Sequence, residues 1–333
     1  MDYEFIVDET AAGRRIDQFL CEQGVFTSRS QVQVAIRDGR VRSNGEVVRK
    51  TGERVARHAR IHCQAVVAVP DGLIPQVPAC DAERLSILYQ DDDILIINKP
   101  AGICVHAGAG NPHQTVVERV LGEGISLAPL GLPLRPGVVH RLDKGTSGVM
   151  VLAKTNMAYH ELIRQFSERR VAKTYLSVVW GRPRLPSGTV RTRLARHPMY
   201  RQKFRSTPRS GKEAVTHYRL LGAQSPFALL EARIETGRTH QIRVHFSELG
   251  LPIVGDAVYG GGKKRQAAFK LEARHLVSLD GLDRPLLHAY RLSFAHPVSH
   301  QPMDSIAPLS PIFLPFIDTS WMVSYEQSGK GRV

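Results

Sequence analysis

The sequence predicts an α+β protein in two parts, a small N-terminal domain and a larger domain built on a sheet. Short apolar runs rich in β-branched residues, such as residues 94–97, 149–153 and 176–180, indicate buried strands. Apolar residues at helical spacing lie between these runs, as in residues 156–166. A segment with three prolines and one glycine, residues 69–83, separates the first 68 residues from the rest.

Length, composition and charge limit the classes of protein to which this chain can belong. At 333 residues with 42% hydrophobic residues, the chain can bury one large core and one small core. The net charge of +14 favours a polyanionic partner, although charge alone does not separate RNA from DNA or an anionic membrane. The first ten residues carry four acids and no base, and no apolar run approaches a membrane span of about 20 residues. We expect a soluble cytoplasmic protein.

The cysteines and histidines do not indicate a disulfide framework or a metal site. Cys21, Cys63, Cys80 and Cys104 are far apart and include no C-x-x-C pair. The two histidines at positions 240 and 245 are five residues apart, whereas helical zinc peptidase pairs are four apart. Nucleotide-binding glycine motifs are also absent from the sequence. We therefore expect no metal and no cofactor.

The N-terminal part reads as two short helices followed by a hairpin. Apolar residues 16, 19 and 20 have helical spacing, Ser28 is a candidate N-cap for a second helix, and Gly39 is placed to end that helix. Val41 begins a strand, and Asn44-Gly45 is a strong signal for a two-residue hairpin turn.

This N-terminal part is also strongly basic. Residues 29–60 contain nine Lys and Arg against three acids, a net charge of +6, which by itself describes any solvated face. The pattern R-x-D-x-F-L, S-R-S, I-x-x-G-x-V-x-x-N-G resembles the alpha-L RNA-binding module, which also occurs in a small-subunit ribosomal protein and in tyrosyl-tRNA synthetase. That resemblance implies that Arg29, Arg37, Arg40 and Lys50 face phosphate.

The domain organisation follows from these composition changes. We expect four segments: a domain at 1–68 that resembles the alpha-L RNA-binding module, a linker at 69–83, a larger domain at 84–318 and a frayed polar tail at 319–333. The larger domain should begin with an edge strand at 87–89, a turn, and a buried strand at 94–97.

A polar loop, His140 to Gly148, precedes the apolar strand 149–153 and carries one carboxylate, Asp143. In isolation, Asp143 between Arg141 and Lys144 would be an ordinary loop ion pair. The string H-R-L-D-x-x-T-S-G before a hydrophobic strand, however, resembles the catalytic motif of RluA-type pseudouridine synthases, which convert uridine in RNA to its C-glycoside isomer.

Two further strings resemble motifs of the same family. N-K-P-x-G-x-x-V-H at residues 98–106 resembles its first motif, with Ala107 where the family usually has proline. T-G-R-x-H-Q-I-R-V-H at 236–245 resembles its third motif completely, and here we expect a helix capped by Thr239. The resemblance covers residues 1 to about 316 and implies that 84–318 is the catalytic domain. It also implies an α+β fold with a mixed, largely antiparallel sheet flanked by helices.

The resemblance also assigns roles to individual residues. It implies that Asp143 is the catalytic nucleophile, that Tyr175 of the K-x-Y element lies against the target base, and that Arg243 pairs with Asp143. Arg141 is placed to fill the stack when the target uridine is flipped out. The complete set of RNA-contacting candidates is Arg141, Arg29, Arg37, Arg40, Lys50, Lys99 and Arg238.

Two other segments carry expectations. Residues 156–166 should form a helix with Asn156 as cap, and residues 184–219 hold ten Lys and Arg against one acid, which is typical of loops laid on phosphate. Within that basic stretch Tyr200 and Phe204 either stack on unpaired bases or fix the loop to the core. Residues 215–221 and 228–234 should be paired strands.

Together these observations predict an enzyme that isomerises specific uridines in RNA, with nearest likeness to members acting on large-subunit (23S) ribosomal RNA. We expect a monomer that needs no cofactor and acts on RNA in the cytoplasm. Asp143 can either attack C1′ or act as a base that starts an elimination. A non-catalytic RNA-binding ribosome assembly factor and an RNA or DNA N-glycosidase are the alternatives. An N-glycosidase normally needs a carboxylate to activate water, and the motifs supply one central carboxylate.

Overall fold

The structure is a computed structural model that describes residues 2–9, 11–23, 26, 29–64, 85–107, 114–130 and 135–327. Side chains of residues 29–31 are outside this description. The described residues form two sheets, one within residues 2–64 and one within residues 86–306. No helix among the described residues is long and apolar enough to cross a membrane.

The N-terminal sheet is antiparallel, with strand order β1-β4-β2-β3. Its strands are β1 (Asp2–Ile6), β2 (Val41–Ser43), β3 (Glu46–Val47) and β4 (Arg60–Gln64), and its helices are α1 (Ile16–Glu22) and α2 (Arg29–Arg37). Asn44 and Gly45 both have positive φ, 51° and 87°, as a type I′ turn requires, so the predicted hairpin is confirmed. Ser28, the expected cap of α2, is outside the described residues.

This N-terminal unit has its own hydrophobic core. Buried residues of both helices, among them Phe19, Leu20 and Ile36, pack against Val41 and Ile61 of the sheet. The expected linker at 69–83 is outside the described residues, so the domain boundaries stay predictions.

The second sheet has ten strands in the order β10-β9-β11-β12-β8-β13-β7-β6-β5, with β14 paired to β13. The strands are β5 (Ser86–Gln90), β6 (Ile94–Lys99), β7 (Ser147–Ala153), β8 (Ala172–Trp180), β9 (Ser187–Arg196), β10 (Phe204–Ser206), β11 (Lys212–Gln224), β12 (Phe227–Ile234), β13 (Leu287–Ala295) and β14 (Pro302–Ile306). Of the described strand pairs only β7–β13 is parallel, which confirms the predicted mixed, largely antiparallel sheet.

Helices cover this sheet. They are α3 (Val116–Gly122), α4 (Asn156–Ser167), α5 (Gln241–Glu248), α6 (Lys263–Gln266), α7 (Ala273–Leu279), a 3₁₀ helix (Pro311–Phe316) and α8 (Thr319–Gln327). One core lies around β6, β7, α3 and α4, and a second lies around β8, β12, α5 and the C-terminal helices. Tyr175 packs against both cores, which places the start of β8 where they meet.

A glycine fixes the way the polar loop enters the sheet. Gly148 on β7 has φ 117° and faces the backbone of Ala289 on β13. A Cβ at this position would lie 2.1 Å from the Ala289 carbonyl oxygen. Only glycine therefore allows β7 and β13 to pair in parallel directly behind the loop that carries Asp143.

The basic stretch 184–219 was expected to consist of loops, but most of it forms β9, β10 and the first part of β11. Alternation explains the error: along β9 the exposed Arg191 and Arg193 lie two residues apart, and strand pairing satisfies their backbone. The connection between β9 and β10 carries Tyr200, which is 59% exposed, whereas Phe204 is partly buried against the ring of His240. Of the two alternatives, Tyr200 fits stacking and Phe204 fits attachment to the core. The expected pairing of strands at 215–221 and 228–234 is confirmed by β11 and β12.

The C-terminal tail was expected to be frayed from residue 319, and this is wrong for residues 319–327, which form α8. Tyr325 on this helix is 4% exposed, and the ring of Trp321 covers Gly222 of β11 so closely that a Cβ there would clash. The tail is polar on average, but its aromatic residues lie four apart and share one helix face. The beginnings of two other helices also differ from expectation. Thr155, not Asn156, caps α4, and α5 begins after His240, not at a Thr239 cap.

Candidate active site

Asp143 lies in a tight loop directly before β7. The amide of Thr146 donates to the Asp143 carbonyl over 3.0 Å, and the amide of Gly102 donates to the Lys144 carbonyl over 2.8 Å. The loop is therefore fixed from within and also by the turn that follows β6. This backbone framework holds the Asp143 carboxylate at the edge of the sheet with its side chain 19% exposed.

Two side chains from the neighbourhood of α5 flank this carboxylate. Nη1 of Arg243 lies 3.3 Å from Oδ2 of Asp143, and Nε2 of His240 lies 3.8 Å from the same oxygen. The predicted approach of Arg243 to Asp143 is thus present in the structure. A guanidinium in hydrogen-bonding contact favours the ionised carboxylate and restricts its direction.

Arg243 has a second and closer partner. Its Nε and Nη2 donate to Oδ2 and Oδ1 of Asp256 over 2.7 Å and 2.9 Å, a two-point contact that is almost fully buried. Burial opposes the charge of Arg243, but hydrogen bonding and attraction from Asp256, with a smaller contribution from Asp143, raise the pKa of Arg243 further above its ordinary value. Arg243 is therefore a permanent cation between two carboxylates.

His240 precedes α5 in a left-handed backbone conformation, with φ 58°. Its Nδ1 lies 2.8 Å from the hydroxyl of Tyr259, and its Nε2 points to Asp143. Burial lowers the pKa of His240, and this effect exceeds the opposing effect of Asp143. His240 is therefore neutral at pH 7.

Tyr175 stands at the start of β8 and lines the same cleft as Asp143. Burial, with a smaller contribution from the charge of Asp143, raises the pKa of Tyr175 above its ordinary value. The side chain therefore offers an aromatic face and a neutral hydroxyl next to the carboxylate. Asp143, Tyr175 and Arg243, the three residues expected to be catalytic, are brought together by the fold.

The cleft that contains Asp143 has a volume of about 80 Å³, and exposed or partly exposed arginines line it. Its lining consists of Arg141, Leu142, Asp143, Thr146, Tyr175, Ile234, Gly237, Arg238, Thr239, His240, Gln241, Ile242, Arg243 and Leu287. Arg141 is exposed beside Asp143, whereas Arg238 is partly buried and donates from Nε to the Glu213 carbonyl over 2.9 Å. Both positions suit contact with a polyanion that enters the cleft.

Lys99 was expected among the RNA-contacting residues, and its position does not fit that expectation. It is fully buried, and its Nζ donates to the carbonyls of Pro100, Ile103 and Lys144 over 2.7, 2.9 and 3.4 Å. Burial lowers the pKa of Lys99 to about 7. Its geometry joins the turn after β6 to the Asp143 loop and leaves no surface for a phosphate.

The N-terminal candidates differ in exposure. Arg37 and Lys50 are exposed, and Arg40 is partly buried beside Asp38 with its guanidinium 2.6 Å from that carboxylate. The side chain of Arg29 is outside the described residues, although its backbone begins α2.

Sequence reasoning did not identify Asp256 and Tyr259. Asp256 lies in the string V-G-D-A-V-Y-G at 254–260, eight residues beyond the end of α5, and it has no distinctive spacing to Arg243. A buried acid flanked by glycine and apolar residues was the signal, since such an acid needs a cation. No group of three or more His, Cys, Asp or Glu side chains within the described part of the chain is arranged to hold a metal ion.

Two family models match this chain. Residues 93–248 match the RNA pseudouridylate synthase model, and residues 14–61 match the S4 domain model. The chain is 40% identical over 304 residues to ribosomal large subunit pseudouridine synthase D of Escherichia coli K12, covering 91% of this chain and 89% of the relative. It is 42% identical over 307 residues to the protein of the same name from Xanthomonas campestris, covering 91% and 88%.

Solved structures agree with these sequence matches. Human RNA pseudouridylate synthase domain containing 1 aligns with a TM-score of 0.55 and 25% identity, covering 74% of this chain and 95% of the human chain. Human RNA pseudouridylate synthase domain containing 4 aligns with a TM-score of 0.52 and 29% identity, covering 69% and 90%.

Proposed function

Because the chain belongs to the RluA-type family of RNA pseudouridine synthases, we propose that it isomerises specific uridines of large-subunit ribosomal RNA and that Asp143 is the nucleophile. The observation that carries this proposal is a carboxylate at the edge of the sheet, directed by a buried arginine into a cleft lined by cations and one tyrosine.

The reaction needs little beyond this arrangement. The N1–C1′ bond of uridine breaks, a C5–C1′ bond forms, and a proton leaves C5 while N1 gains one. Atoms and electrons balance without redox chemistry or hydrolysis. An ionised carboxylate serves either route, attack on C1′ to form a covalent intermediate or removal of a sugar proton to start an elimination.

Arg243 and Tyr175 support this carboxylate in different ways. Arg243 directs the Asp143 carboxylate through a hydrogen bond, since its guanidinium is itself held by Asp256. Tyr175 offers its ring to the uracil, and its raised pKa keeps the hydroxyl protonated at pH 7. We therefore assign contact with the base to Tyr175 and proton removal to another group.

The target uridine must leave its stack before C1′ and C5 can reach the cleft. Unstacking costs a few kcal/mol, which enzymes that act on bases recover through contacts with the flipped nucleotide. Arg141 is exposed, lines the cleft and lies two residues before Asp143 in the chain. We assign to it the place in the stack that the target vacates.

Basic surfaces outside the cleft supply further contacts that bind the RNA. The S4 unit presents Arg37 and Lys50, and the ribbon of β9, β10 and β11 presents a row of exposed arginines together with Tyr200. Phosphate contacts fix register without reading sequence, whereas an exposed aromatic ring can stack on an unpaired base.

Substrate class and setting follow from the relatives and from the site. Relatives named for the large ribosomal subunit match over 91% of this chain, which supports large-subunit ribosomal RNA as substrate. One chain carries all three proposed catalytic residues, so a monomer suffices. Ribosomal RNA is assembled into subunits in the cytoplasm of bacteria, and we propose that the protein acts there.

The test uses large-subunit ribosomal RNA transcribed with uridine tritiated at C5. We expect the protein to release tritium while the base stays attached to the chain, and to leave small-subunit RNA transcribed in the same way unmodified. RNA binding without tritium release would support the assembly factor instead. Release of free uracil would indicate an N-glycosidase, and either result would contradict the proposal.

A further inference from the structure

The turn at residues 254–260, which follows α5, contacts both side chains that flank Asp143, namely Arg243 and His240. Asp256 in this turn is 1% exposed and accepts the two hydrogen bonds from Arg243. Its Oδ1 also accepts hydrogen bonds from the backbone amides of Val258 and Tyr259 over 3.1 Å and 3.2 Å. The carboxylate is therefore held by the turn and by the arginine at the same time.

This contact decides where Arg243 points. A guanidinium is planar, so fixing Nε and Nη2 on one carboxylate fixes the direction of Nη1, which faces Asp143 over 3.3 Å. The ring of Tyr259 adds a third restraint, since the guanidinium carbon lies 5.0 Å from its centre.

Tyr259 also contacts His240. Its hydroxyl oxygen accepts a hydrogen bond from the amide of Phe204 over 2.8 Å and lies 2.8 Å from Nδ1 of His240, so the hydroxyl proton is available to Nδ1. A neutral imidazole whose Nδ1 accepts carries its proton on Nε2. Nε2 of His240 lies 3.8 Å from Oδ2 of Asp143.

We propose that Asp256 and Tyr259 are positioning residues of the active site: Asp256 directs Arg243, and Tyr259 fixes His240 as the Nε2–H tautomer, so that both present a donor to Asp143. The proposal rests on the proposed function in taking Asp143 as the reacting carboxylate. Its statements about Arg243 and His240 do not depend on which RNA is the substrate.

The first experiment measures the tautomer directly, without turnover. In ¹⁵N NMR of the intact protein, with the His240 signals assigned by comparison with His240→Asn, we expect Nε2 to be protonated and Nδ1 to be unprotonated. Tyr259→Phe keeps the ring and removes the hydroxyl, and we expect a mixture of tautomers in that variant. A protonated Nδ1 in the wild-type protein, or the same tautomer in Tyr259→Phe, would overturn the assignment for Tyr259.

The second experiment measures turnover on C5-tritiated large-subunit RNA. For Asp256→Asn we expect kcat to fall by about 100-fold or more with KM for RNA within about threefold of wild type, because the loss falls on a group that acts at the reacting centre. For Tyr259→Phe we expect a fall in kcat of about tenfold at unchanged KM. A folded Asp256→Asn with kcat within about threefold of wild type would overturn the role of Asp256.

The split between kcat and KM separates positioning from a general loss of structure. If Asp256 acts by directing Arg243, Asp256→Asn lowers kcat and leaves KM for RNA near its wild-type value. A parallel loss of kcat and of RNA affinity would indicate a general loss of structure and would contradict the proposal.

Asp304→Asn is the matched control. Asp304 on β14 accepts two hydrogen bonds from Arg291 on β13 in the same two-point geometry, but outside the cleft. We expect kcat and KM of this variant to match wild type. Should Asp256→Asn fail to fold in thermal unfolding, Arg243→Lys tests the direction of Arg243, and Tyr259→Phe with the NMR measurement tests the His240 tautomer. A wild-type protein that releases no tritium would contradict the proposed function while leaving the tautomer assignment open to the NMR result.

Discussion

The side chains of Asp143 and Arg243 meet at 3.3 Å although they are one hundred residues apart in the chain. Asp143 comes from the loop before β7 and Arg243 from the first turn of α5. The sheet fixes the backbone next to Asp143, and the helix fixes the backbone of Arg243. This pair is the geometric basis of the proposed catalysis.

Substitution of Arg243 tests the role of the pair in catalysis. We expect Arg243→Lys to lower kcat by about 100-fold or more, because lysine keeps the charge but cannot make the two-point contact that sets direction. Arg243→Ala should be slower still and less stable by about 3–5 kcal/mol, since it leaves Asp256 buried without a cation. Tritium release at saturating RNA and thermal unfolding measure the two effects separately.

The control for this experiment is Arg291→Lys, which alters a similar arginine–carboxylate pair on β13 and β14. Its kcat should stay within about threefold of wild type. If Arg243→Lys were equally active at saturating RNA, the pairing would have no catalytic role.

Tyr175 distinguishes stacking from proton transfer. The raised pKa of Tyr175 keeps its hydroxyl protonated, so a phenolate base is disfavoured near neutral pH. We therefore expect Tyr175→Phe to keep kcat within about tenfold of wild type and Tyr175→Ala to lose about 100-fold or more. A Tyr175→Phe variant as slow as Tyr175→Ala would show that the hydroxyl, not the ring, is needed.

The S4 unit should contribute binding and not chemistry. We expect Arg37→Gln combined with Lys50→Gln to raise KM at nearly unchanged kcat, because both side chains are exposed on a unit with its own core. Each lost phosphate contact should lower the slope of log affinity against log salt by about 0.7–0.9. Binding at several salt concentrations measures this slope, and Glu22→Gln on α1 is the control.

Deletion of residues 1–68 extends the same prediction. A module that makes about three phosphate contacts would lower the salt slope by about two or more, with kcat nearly preserved at saturating RNA. Loss of kcat at saturation with little change in the slope would mean that the N-terminal unit completes the active site.

The C-terminal helix should stabilise the catalytic sheet. Tyr325 on α8 is 4% exposed and packs with the second core, so Tyr325→Ala should lower the free energy of unfolding by about 3–5 kcal/mol. Val323→Ala on the same helix, at a position that is 51% exposed, should change it by less than about 0.5 kcal/mol. Equal effects in chemical denaturation would show that α8 does not dock through Tyr325.

Periodicity and turn chemistry predicted most of the strands. The Asn44-Gly45 hairpin and the pairing of β5 with β6 follow from local signals that tertiary structure did not override. The strands β9 and β10 were missed because exposed strands with many arginines lack the apolar alternation that identifies half-buried strands. The helix α8 was missed because its burial depends on Gly222, a residue almost one hundred positions earlier.

The residues of the site also divide into those that the sequence predicts and those that only the folded chain brings together. Asp143, Tyr175 and Arg243 stand in strings whose residues could be compared with a family, and the fold brings them to one cleft. Lys99 is buried in the folded protein, and the sequence around a single lysine before a turn does not indicate that burial. The partnership of Asp256 with Arg243 depends on a turn whose conformation was not predictable from composition, since only the folded backbone brings the two side chains together.

The measurement that tests the central claim most directly is tritium release by Asp143→Asn. The substitution is nearly isosteric, so the variant should fold and bind large-subunit RNA with wild-type affinity. Loss of the ionised carboxylate removes the nucleophile, and we expect a fall in rate of many powers of ten, to the background of the assay. Turnover within about tenfold of wild type would contradict the assignment of Asp143 and, with it, the mechanism proposed for this site.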